Sequence, residues 1–562
     1  MGPMRGHRTQ LLILLGIALL VLWPLPLGQG ILGHPLSDMP DHYQGMWWWG
    51  AEINALRLPL VTTVTHLPAG QELWFVDPVG AAIAVILRPL GFPWAYNLTL
   101  LAELLLAGVL LYRLAWQRFE QRGAALLAAT IGMSAPFLLG LVHSGLTEYL
   151  GLFFPVVLLG DVFLALEGKR YAWLFVAIAV ALCAAQALYF GAFAALLLLC
   201  LVVGAQPMQR ARRLLPSVGL GLVLCAPLAW HVLSGILGDG GAVDGASAPG
   251  WQQATLPATD ISLFFRPGDH YFPDTPALGN PGILHVHYLG WVALLLAVWG
   301  FVRHPDLRPH RWGVLVFCIF ALGPALAWWG APVMLGDAPM SLPLAVLYRL
   351  PFSPWSLVHH PYRFTAFLVP LLAVGAAAAV SQLPRWAAYV AMPLVLVESL
   401  LVSGAVWPVP VTPADAPAVY AELPLSGGVF DWPPDATDWN RRYQIWQVQH
   451  ERAIPYGVNV FLREPLMRDP LVTELLSVLD DPRQRVRNRD VPYPPDFPEP
   501  LGGGWSSLGE INLRYVVLHP AAMGPRELGA TREVLGAWLG EPLMVEPAWE
   551  VWGIPLETVT RQ

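Results

Sequence analysis

The sequence predicts a polytopic α-helical membrane protein that carries a smaller α/β domain at its C-terminal end. Hydrophobic residues make up 56% of the 562 residues and charged residues 13%, with a mean hydropathy of +0.52. Soluble domains carry about 25% charged residues. The end of the chain differs, because residues 408–562 hold 21 of the 39 acidic and 13 of the 32 basic residues.

Apolar stretches long enough to cross a bilayer recur along the first part of the chain. A bilayer core about 30 Å thick requires about 20 apolar residues per helix. About eleven stretches meet this need, near 10–29, 94–116, 124–142, 149–166, 171–187, 189–206, 214–235, 286–302, 312–330, 363–382 and 386–407. The stretch 79–91 is interrupted by Arg88 and Pro89, and we interpret it as an interfacial or re-entrant helix.

The distribution of basic residues gives the orientation. With a cytoplasmic N-terminus, the inner segments hold fourteen basic residues: Arg5, Arg8, Arg113, Arg118, Arg122, Lys169, Arg170, Arg210, Arg212, Arg213, Arg303, Arg308, Arg311 and Arg385. The outer loops hold five: Arg57, Arg88, Arg266, Arg349 and Arg363. This asymmetry follows the positive-inside rule. It predicts a multi-pass protein of the bacterial inner membrane, with a membrane domain at 1–407 and an extracytoplasmic domain at 408–562.

Strand-like and helix-like patterns alternate in the C-terminal part. The patches GGVFDW (427–432), RYVVLHP (514–520) and MVEPAWEVWGI (544–554) are rich in β-branched and aromatic residues, which favour strands. The segments 468–480 and 524–540 between them are typical of helices. A small α/β unit is therefore expected there.

Several function classes are excluded by composition and motifs. A formal charge of −7 supplies no basic surface for a nucleic-acid partner. The four cysteines stand in apolar runs without CxxC spacing, so they predict neither a disulfide framework nor a thiolate metal site. No Walker A, GxSxG or HExxH motif occurs. A soluble enzyme is excluded by the hydropathy.

Ligand chemistry is expected on the outer face, because the outer loops 30–78, 236–285 and 331–362 are long. The first of them carries His34, Asp38, Asp41 and His42 just before the run Trp47–Trp49. Carboxylates that tryptophans partly desolvate suit a general base, and they also suit a divalent cation. The alternative is that both acids are solvated and the tryptophans form an interfacial belt.

Cationic groups for a phosphate are few on the outer side. Arg363, beside His359 and His360, is the best placed of them, and Arg88, Arg266 and Arg349 are alternatives. Snorkelling of Arg363 to the membrane interface is the competing explanation.

Other acids and histidines leave alternatives open. Glu148, in the short outer turn HSGLTE, either points into the same cavity as the first loop or caps the next helix. Asp269, His270, Asp274, His285 and His287 include metal-ligand residue types, but their spacing matches no closed metal motif.

Five phrases carry a resemblance to a known class. They are SDMPDHYQGMWW (37–48), LPAGQELWFVDPVGA (67–81), HSGLTE (143–148), HYLGWVALLLAV (287–298) and HHPYRFTAFLVPLLAVGAAAA (359–379). With the order of parts, they resemble the GT-C class of integral membrane glycosyltransferases, and more narrowly the bacterial YfhO-like and related GT-C membrane proteins.

The resemblance implies a transferase that uses a polyprenyl-phosphate sugar as donor and an envelope glycan, lipid or protein as acceptor. In that class an acid of the first loop deprotonates the acceptor hydroxyl or helps to bind a metal near the donor phosphate. Position by position this acid is Asp38 or Asp41, and we favour Asp41 slightly because it lies closer to the aromatic run. The substrate-binding set is then His34, His42, Glu148, Arg266, His359, His360 and Arg363.

Two other classes remain open. A transporter or flippase of lipid-linked glycans would show inverted repeats and broken helices, and no repeat is evident. A noncatalytic envelope-assembly protein would keep the same layout with dispensable Asp38 and Asp41.

Overall fold

A computed structural model describes the protein over residues 8–25, 30–65, 67–68, 70–72, 77–204, 212–237, 259–268, 284–349, 360–424, 426–434, 439–457, 462, 464–480, 505–506, 508–555 and 559–560. The chain divides into two compact units. Of the described residues, unit one contains 8–39, 77–237 and 259–412, and unit two contains 40–72 and 413–560. The division into 1–407 and 408–562 stays a prediction.

Unit one is built almost entirely from helices. In chain order they are α1 (Arg8–Val21), the first residue of α2 (Met39–Asn54), α3 (Pro78–Leu87), α4 (Trp94–Phe119), α5 (Arg122–Ser134), α6 (Pro136–Ser144), α7 (Phe153–Leu166), α8 (Ala172–Gln186), α9 (Leu188–Gly204), α10 (Leu215–Leu237), α11 (Trp291–Arg303), α12 (Arg308–Ala321), α13 (Pro343–Tyr348), α14 (Thr365–Val380) and α15 (Trp386–Val397).

Four helical segments of the described chain are long and apolar enough to cross a membrane: Trp94–Phe119, Arg122–Ser144, Thr147–Leu166 and Pro361–Val380. Shorter apolar helices occupy most of the other predicted stretches and also 78–90. The protein is therefore largely helical and apolar, as the sequence indicates. The count of eleven spans and the orientation stay predictions.

The stretch 312–330 differs from its prediction as one continuous span. Helix α12 ends at Ala321, and Gly323 follows in the left-handed region with a φ of 84°. Pro324 then lacks an amide hydrogen for a helical bond. The chain continues as four short strands: β4 (Ala327–Trp328), β5 (Ala331–Pro332), β6 (Met334–Leu335) and β7 (Ala338–Pro339). An apolar composition alone did not distinguish these strands from a helix.

Helix α14 forms the centre of unit one, since every one of its residues is buried. Its small side chains allow close packing. A Cβ added at Gly300 of α11 would lie 1.9 Å from the carbonyl oxygen of Gly375 in α14. Small residues at helix contacts are typical of membrane proteins, because backbone contact replaces the missing hydrophobic driving force.

The two ends of unit one meet at a short strand pair. Strand β1 (Gly30–Leu32) follows α1, and β8 (Val411–Pro413) follows α15 and the π-helical turn Glu398–Val402. Gly33 N donates to Pro410 O at 2.9 Å, and Thr412 Oγ1 donates to Gly33 O at 2.7 Å. The segment that leads to Asp38 is thereby fixed in position.

Unit two contains a four-stranded mixed sheet in the order β12-β13-β11-β9. Strand β9 (Gly428–Trp432) pairs parallel with β11 (Leu513–Leu518), and β13 (Trp549–Gly553) pairs antiparallel with β11 and with β12 (Met544–Glu546). The other elements are β2 (Val61–Thr62), β3 (Gln71–Glu72), β10 (Trp505–Ser506), β14 (Val559–Thr560), α2 after Met39, α16 (Val419–Glu422), α17 (Trp439–His450), α18 (Glu464–Met467), α19 (Pro470–Ser477) and α20 (Pro525–Leu539).

Candidate functional site

Asp38 is the last residue before α2, and backbone contacts hold it against the turn that ends α6. Asp38 N donates to Ser144 O at 3.1 Å, and Met39 N donates to Ser37 Oγ at 3.1 Å. The turn itself requires Gly145, whose φ is 68°. A Cβ at Gly145 would lie 2.2 Å from Met39 Cα, so only glycine lets the first loop approach this closely.

Glu148 lies in the 3-10 turn Thr147–Tyr149 that follows. The turn is anchored on both sides: Thr147 Oγ1 donates to Asp77 Oδ2, and Gln186 Nε2 donates to the backbone oxygen of Glu148 at 2.9 Å. Asp77 also caps α3 through a bond from Gly80 N at 2.8 Å. Glu148 is close enough to Asp38 for the two carboxylates to interact electrostatically, so the site holds two acids.

Arg363 supplies the positive charge beside these acids. It stands in the 3-10 turn Pro361–Phe364, and its guanidinium lies 5.1 Å from the ring centroids of both Tyr149 and Tyr189. It interacts electrostatically with Glu148. Within the described residues, no carboxylate lies within 4.0 Å of it and its Nε has no hydrogen-bond partner. The side chain is only partly exposed, so an anion would satisfy it.

Histidine and tyrosine rings surround Arg363. The ring of His285 lies edge-on to Tyr362 at 4.4 Å and stacks with His360 at 5.6 Å. Burial, together with the nearby His287 and Arg363, lowers the pKa of His285 well below its ordinary value. His285 is therefore neutral at pH 7 and offers one donor and one acceptor. His34 stacks on His143 at 5.2 Å on the Asp38 side.

A narrow cleft lies next to these rings, and its free interior of about 10 Å³ has room for about one water molecule. Phe137 lines the cleft and contacts Tyr362 at 5.8 Å between centroids, and Thr365 lines it two residues after Arg363. The rest of its wall is mainly apolar and includes Leu372 and Val395, with Glu398 as the acid. Glu398 accepts from Trp291 N at 2.6 Å and Val292 N at 3.0 Å, so it caps α11.

Asp41 stands three residues after Asp38, but it belongs to unit two and has different neighbours. Gln444 Nε2 donates to its Oδ1 at 2.6 Å, and Arg441 Nη1 lies 3.3 Å from its Oδ2. Both Asp41 and Arg441 are buried. Because each carboxylate oxygen already accepts from α17, this acid is held as part of the packing of α2. His42 is buried beside it.

Of the predicted site residues, the structure brings Asp38, Glu148, His360 and Arg363 into one cluster of unit one, with His34 at its edge. Arg266 instead lies over the ring of Trp329 at 5.2 Å. His359, Asp269, His270 and Asp274 lie outside the described residues, as does most of the loop 236–285. Where the chain is described, no group of three or more His, Cys, Asp or Glu is arranged to hold a metal ion.

Sequence reasoning missed four contributors, namely Asp77, Tyr149, Gln186 and Tyr189. Asp77 falls within the phrase LPAGQELWFVDPVGA, which was noted without a role for its acid. Tyr149 follows Glu148 directly, so the same turn contributes both the acid and a ring that contacts Arg363. Gln186 and Tyr189 lie where one apolar helix ends and the next begins. A polar residue at such a junction could have indicated a contribution to the site.

Comparison with known proteins identifies the fold. No family model and no curated protein sequence matches the chain. Among solved structures it is similar to the arabinofuranosyltransferase AftD from Mycobacteria, with a TM-score of 0.53 and 14% identity over 98% of this chain. The chain spans 40% of the length of AftD.

It is also similar to ArnT from Cupriavidus metallidurans bound to undecaprenyl phosphate, with a TM-score of 0.53 and 12% identity. This likeness covers 98% of both chains. The predicted fold is thus supported by these two solved structures, and four helical segments of the described chain are long and apolar enough to cross a membrane. At such identities the likeness concerns the fold alone.

Proposed function

We propose that the protein is a membrane glycosyltransferase that moves a sugar from a polyprenyl-phosphate donor to an envelope glycan, lipid or protein on the extracytoplasmic face. The observation that carries the proposal is Arg363, a partly exposed guanidinium against two tyrosine rings with no carboxylate at ion-pair distance among the described residues. A phosphate monoanion or dianion matches it in charge and geometry.

In this proposal Asp38 is the general base. It takes the proton of an acceptor hydroxyl while the hydroxyl oxygen attacks the anomeric carbon. The bond from that carbon to the donor phosphate breaks, and the polyprenyl phosphate leaves with its charge against Arg363. Asp38 is favoured over Asp41, which the sequence slightly preferred, because Asp38 is partly exposed and Asp41 is buried against Arg441 and Gln444.

Glu148 interacts electrostatically with Arg363, and His34 and His360 stand at the edge of the cluster as sugar contacts. A divalent cation at the two acids, the cytoplasmic N-terminus, the outer 408–562 domain and the kinship with YfhO-like proteins belong to the same proposal.

The decisive experiment measures the release of undecaprenyl phosphate from a panel of undecaprenyl-phosphate sugars by the full chain in nanodiscs. Asp38→Asn preserves the shape but cannot accept the proton, so transfer should fall by about 10² to 10⁴. Asp41→Asn is the matched control, and it should retain transfer in whatever fraction of the protein stays folded. Full activity of the double variant would refute the mechanism.

The same assay separates the competing functions. A flippase would move the intact lipid-linked sugar between leaflets without releasing undecaprenyl phosphate. An assembly protein would do neither. Either result with folded wild-type protein and the full donor panel would overturn the proposal.

A further inference from the structure

An exposed apolar ribbon follows α12, outside the membrane-crossing helices. The ribbon comprises residues 324–342, and with α13 it forms a stretch of 25 residues whose one charged side chain is Asp337. Trp329 is 61% exposed and Leu335 is 76% exposed, and Trp328, Met334 and Met340 are exposed as well. A contiguous apolar patch of this kind marks an interaction surface.

Hydrogen bonds within the ribbon pair several of its backbone groups. Such pairing lowers the cost of transferring the surface from water to lipid. Val333 N donates to Leu326 O at 2.8 Å, Met340 N donates to Val333 O at 2.8 Å, and Leu326 N donates to Met340 O at 2.9 Å. The turn at Gly330 donates its N–H to Asp260 Oδ2. Irregular backbone tolerates an apolar medium only when such groups are paired.

Ring contacts join the ribbon to the exposed face of α11. Trp328 and Trp329 contact each other, and Arg266 lies over Trp329 at 5.2 Å. The neighbouring Phe265 contacts Trp291 at 5.5 Å between centroids. Trp291 begins a row of exposed apolar side chains along α11, namely Trp291, Leu295, Val298, Trp299 and Val302. The ribbon therefore continues a face that an apolar helix of a membrane protein presents to lipid.

The short connection between α11 and α12 places the ribbon at the end of unit one where α11 begins. Helix α12 has 14 residues and α11 has 13, so each is about 20 Å long. Each is therefore shorter than a hydrocarbon core of about 30 Å. The residues 304–307 connect α11 to α12 as a short turn, so the start of α11 and the end of α12 lie at the same end. Two residues, Leu322 and Gly323, separate the end of α12 from the ribbon.

We propose that the apolar ribbon and Phe265 form a membrane-contact surface that lies in the headgroup and upper acyl region of the bilayer crossed by the helices. Trp328 and Trp329 occupy the interfacial level that tryptophan prefers, and Leu335 and Met334 reach the acyl chains. Arg266, against Trp329, stands at the level of the lipid phosphates. The occupant is phospholipid, which is independent of the donor proposed above.

The test attaches an environment-sensitive dye to Leu335→Cys in the full chain, reconstituted in phosphatidylcholine and phosphatidylglycerol nanodiscs without undecaprenyl phosphate. Leu543→Cys is the matched control, since Leu543 is a leucine of unit two that is 58% exposed. The wild-type chain treated with the same dye gives the blank for Cys183, Cys200, Cys225 and Cys318. Nitroxide lipids labelled near the headgroup and aqueous iodide serve as quenchers.

At position 335 we expect lipid nitroxides to quench the dye at least about threefold more than at position 543, and iodide to quench it less. Efficient quenching by iodide without quenching by lipid would overturn the proposal. Protection from both quenchers would also overturn it, because a protein surface would then cover the ribbon. Equal lipid quenching at both positions counts against it too. Arg363→Ala should leave the result unchanged, so this outcome does not depend on the glycosyltransferase proposal.

Discussion

Arg363 in unit one and Arg441 in unit two are both largely withdrawn from water, and their surroundings differ in one respect. Arg441 lies 3.3 Å from the buried carboxylate of Asp41. Arg363 faces the rings of Tyr149 and Tyr189, with no carboxylate at ion-pair distance in the described chain. A charge that is partly withdrawn from water is costly when no opposite charge lies close to it.

The difference separates an arginine that stabilises the fold, Arg441, from one that suits ligand binding, Arg363. Asp41 and Arg441 compensate each other's charge, and this ion pair joins α2 to α17. Arg363 interacts with Glu148 only from beyond ion-pair distance, which is the arrangement expected of a site that binds an anionic ligand. Burial alone would have singled out Arg441 as the candidate functional residue, because it is the more buried of the two arginines.

The largest expected effect concerns stability. Arg441→Met removes one partner of a buried pair and leaves Asp41 uncompensated, which should lower the free energy of unfolding by about 3 to 5 kcal/mol. Arg363→Met is the matched change and should leave stability unchanged or slightly raised. Thermal unfolding of both variants in the same detergent measures the contrast, and equal destabilisation would erase the distinction between the two arginines.

The double variant Asp41→Leu, Arg441→Met sharpens that result. Replacing both members of a buried pair by apolar residues is often neutral, so most of the lost stability should return. A double variant as unstable as Arg441→Met would mean that Gln444 and the packing, rather than the charge pair, hold α2.

Gly145→Ala tests the approach of Asp38 to the Glu148 turn. A misplacement of about 1 Å at a reacting group can cost about 100-fold in rate, and we expect a loss of transfer of this order. Gly91→Ala is the control, because Gly91 has a φ of 81° but no atom within 4 Å of an added Cβ. Both variants bear the strain of the left-handed conformation, so similar activities would show that the close contact with Met39 is unimportant.

Arg363→Ala should weaken the binding of undecaprenyl phosphate to the purified full chain by about tenfold to a hundredfold, since a hydrogen bond to a charged group contributes about 1.5 to 3 kcal/mol. Arg349→Ala removes an exposed arginine and should change binding little. Titration of the lipid with both variants measures the difference. Equal affinities would remove the main support for a donor site at Arg363.

The last prediction concerns the stability of unit two at acidic pH. Burial lowers the pKa of His450, on α17, to about 4 from an ordinary value of 6.5, with Asp431 opposing the shift and Arg452 adding to it. The unfolded chain therefore binds more protons between these values, and unit two should lose stability as the pH falls from about 6.5 towards 4. His450→Phe should flatten this part of the unfolding profile, and an unchanged slope would assign it to other groups.

Much of the secondary structure follows from the sequence because long apolar runs and strand-forming patches have few alternatives. Helices α4 and α14 lie within one or two residues of the start of the stretches at 94–116 and 363–382. Strands β9, β11 and β13 coincide with GGVFDW, RYVVLHP and MVEPAWEVWGI. The end of α12 did not follow, because the apolar residues after Ala321 suit a helix and a ribbon equally.

The candidate site was only partly predictable for a different reason. Arg363 and Glu148 stand out as rare charges beside apolar helices. The roles of Asp38 and Asp41 did not follow from three residues of spacing, because Gln444 and Arg441, which engage Asp41, are about 400 residues further along the chain. No local pattern reports such partners.

The strand pair β1–β8, which fixes the segment before Asp38, bears on the order in which the parts of the protein are made. The Gly33 carbonyl near Asp38 accepts a hydrogen bond from Thr412, which is synthesised 379 residues later. Trp407 Nε1 likewise donates to Leu20 O across 387 residues. The loop that presents Asp38 therefore reaches its final position only after the ribosome has delivered α15. Until then a partly made chain holds its earlier helices without the hydrogen bond from Thr412 that fixes the segment before Asp38.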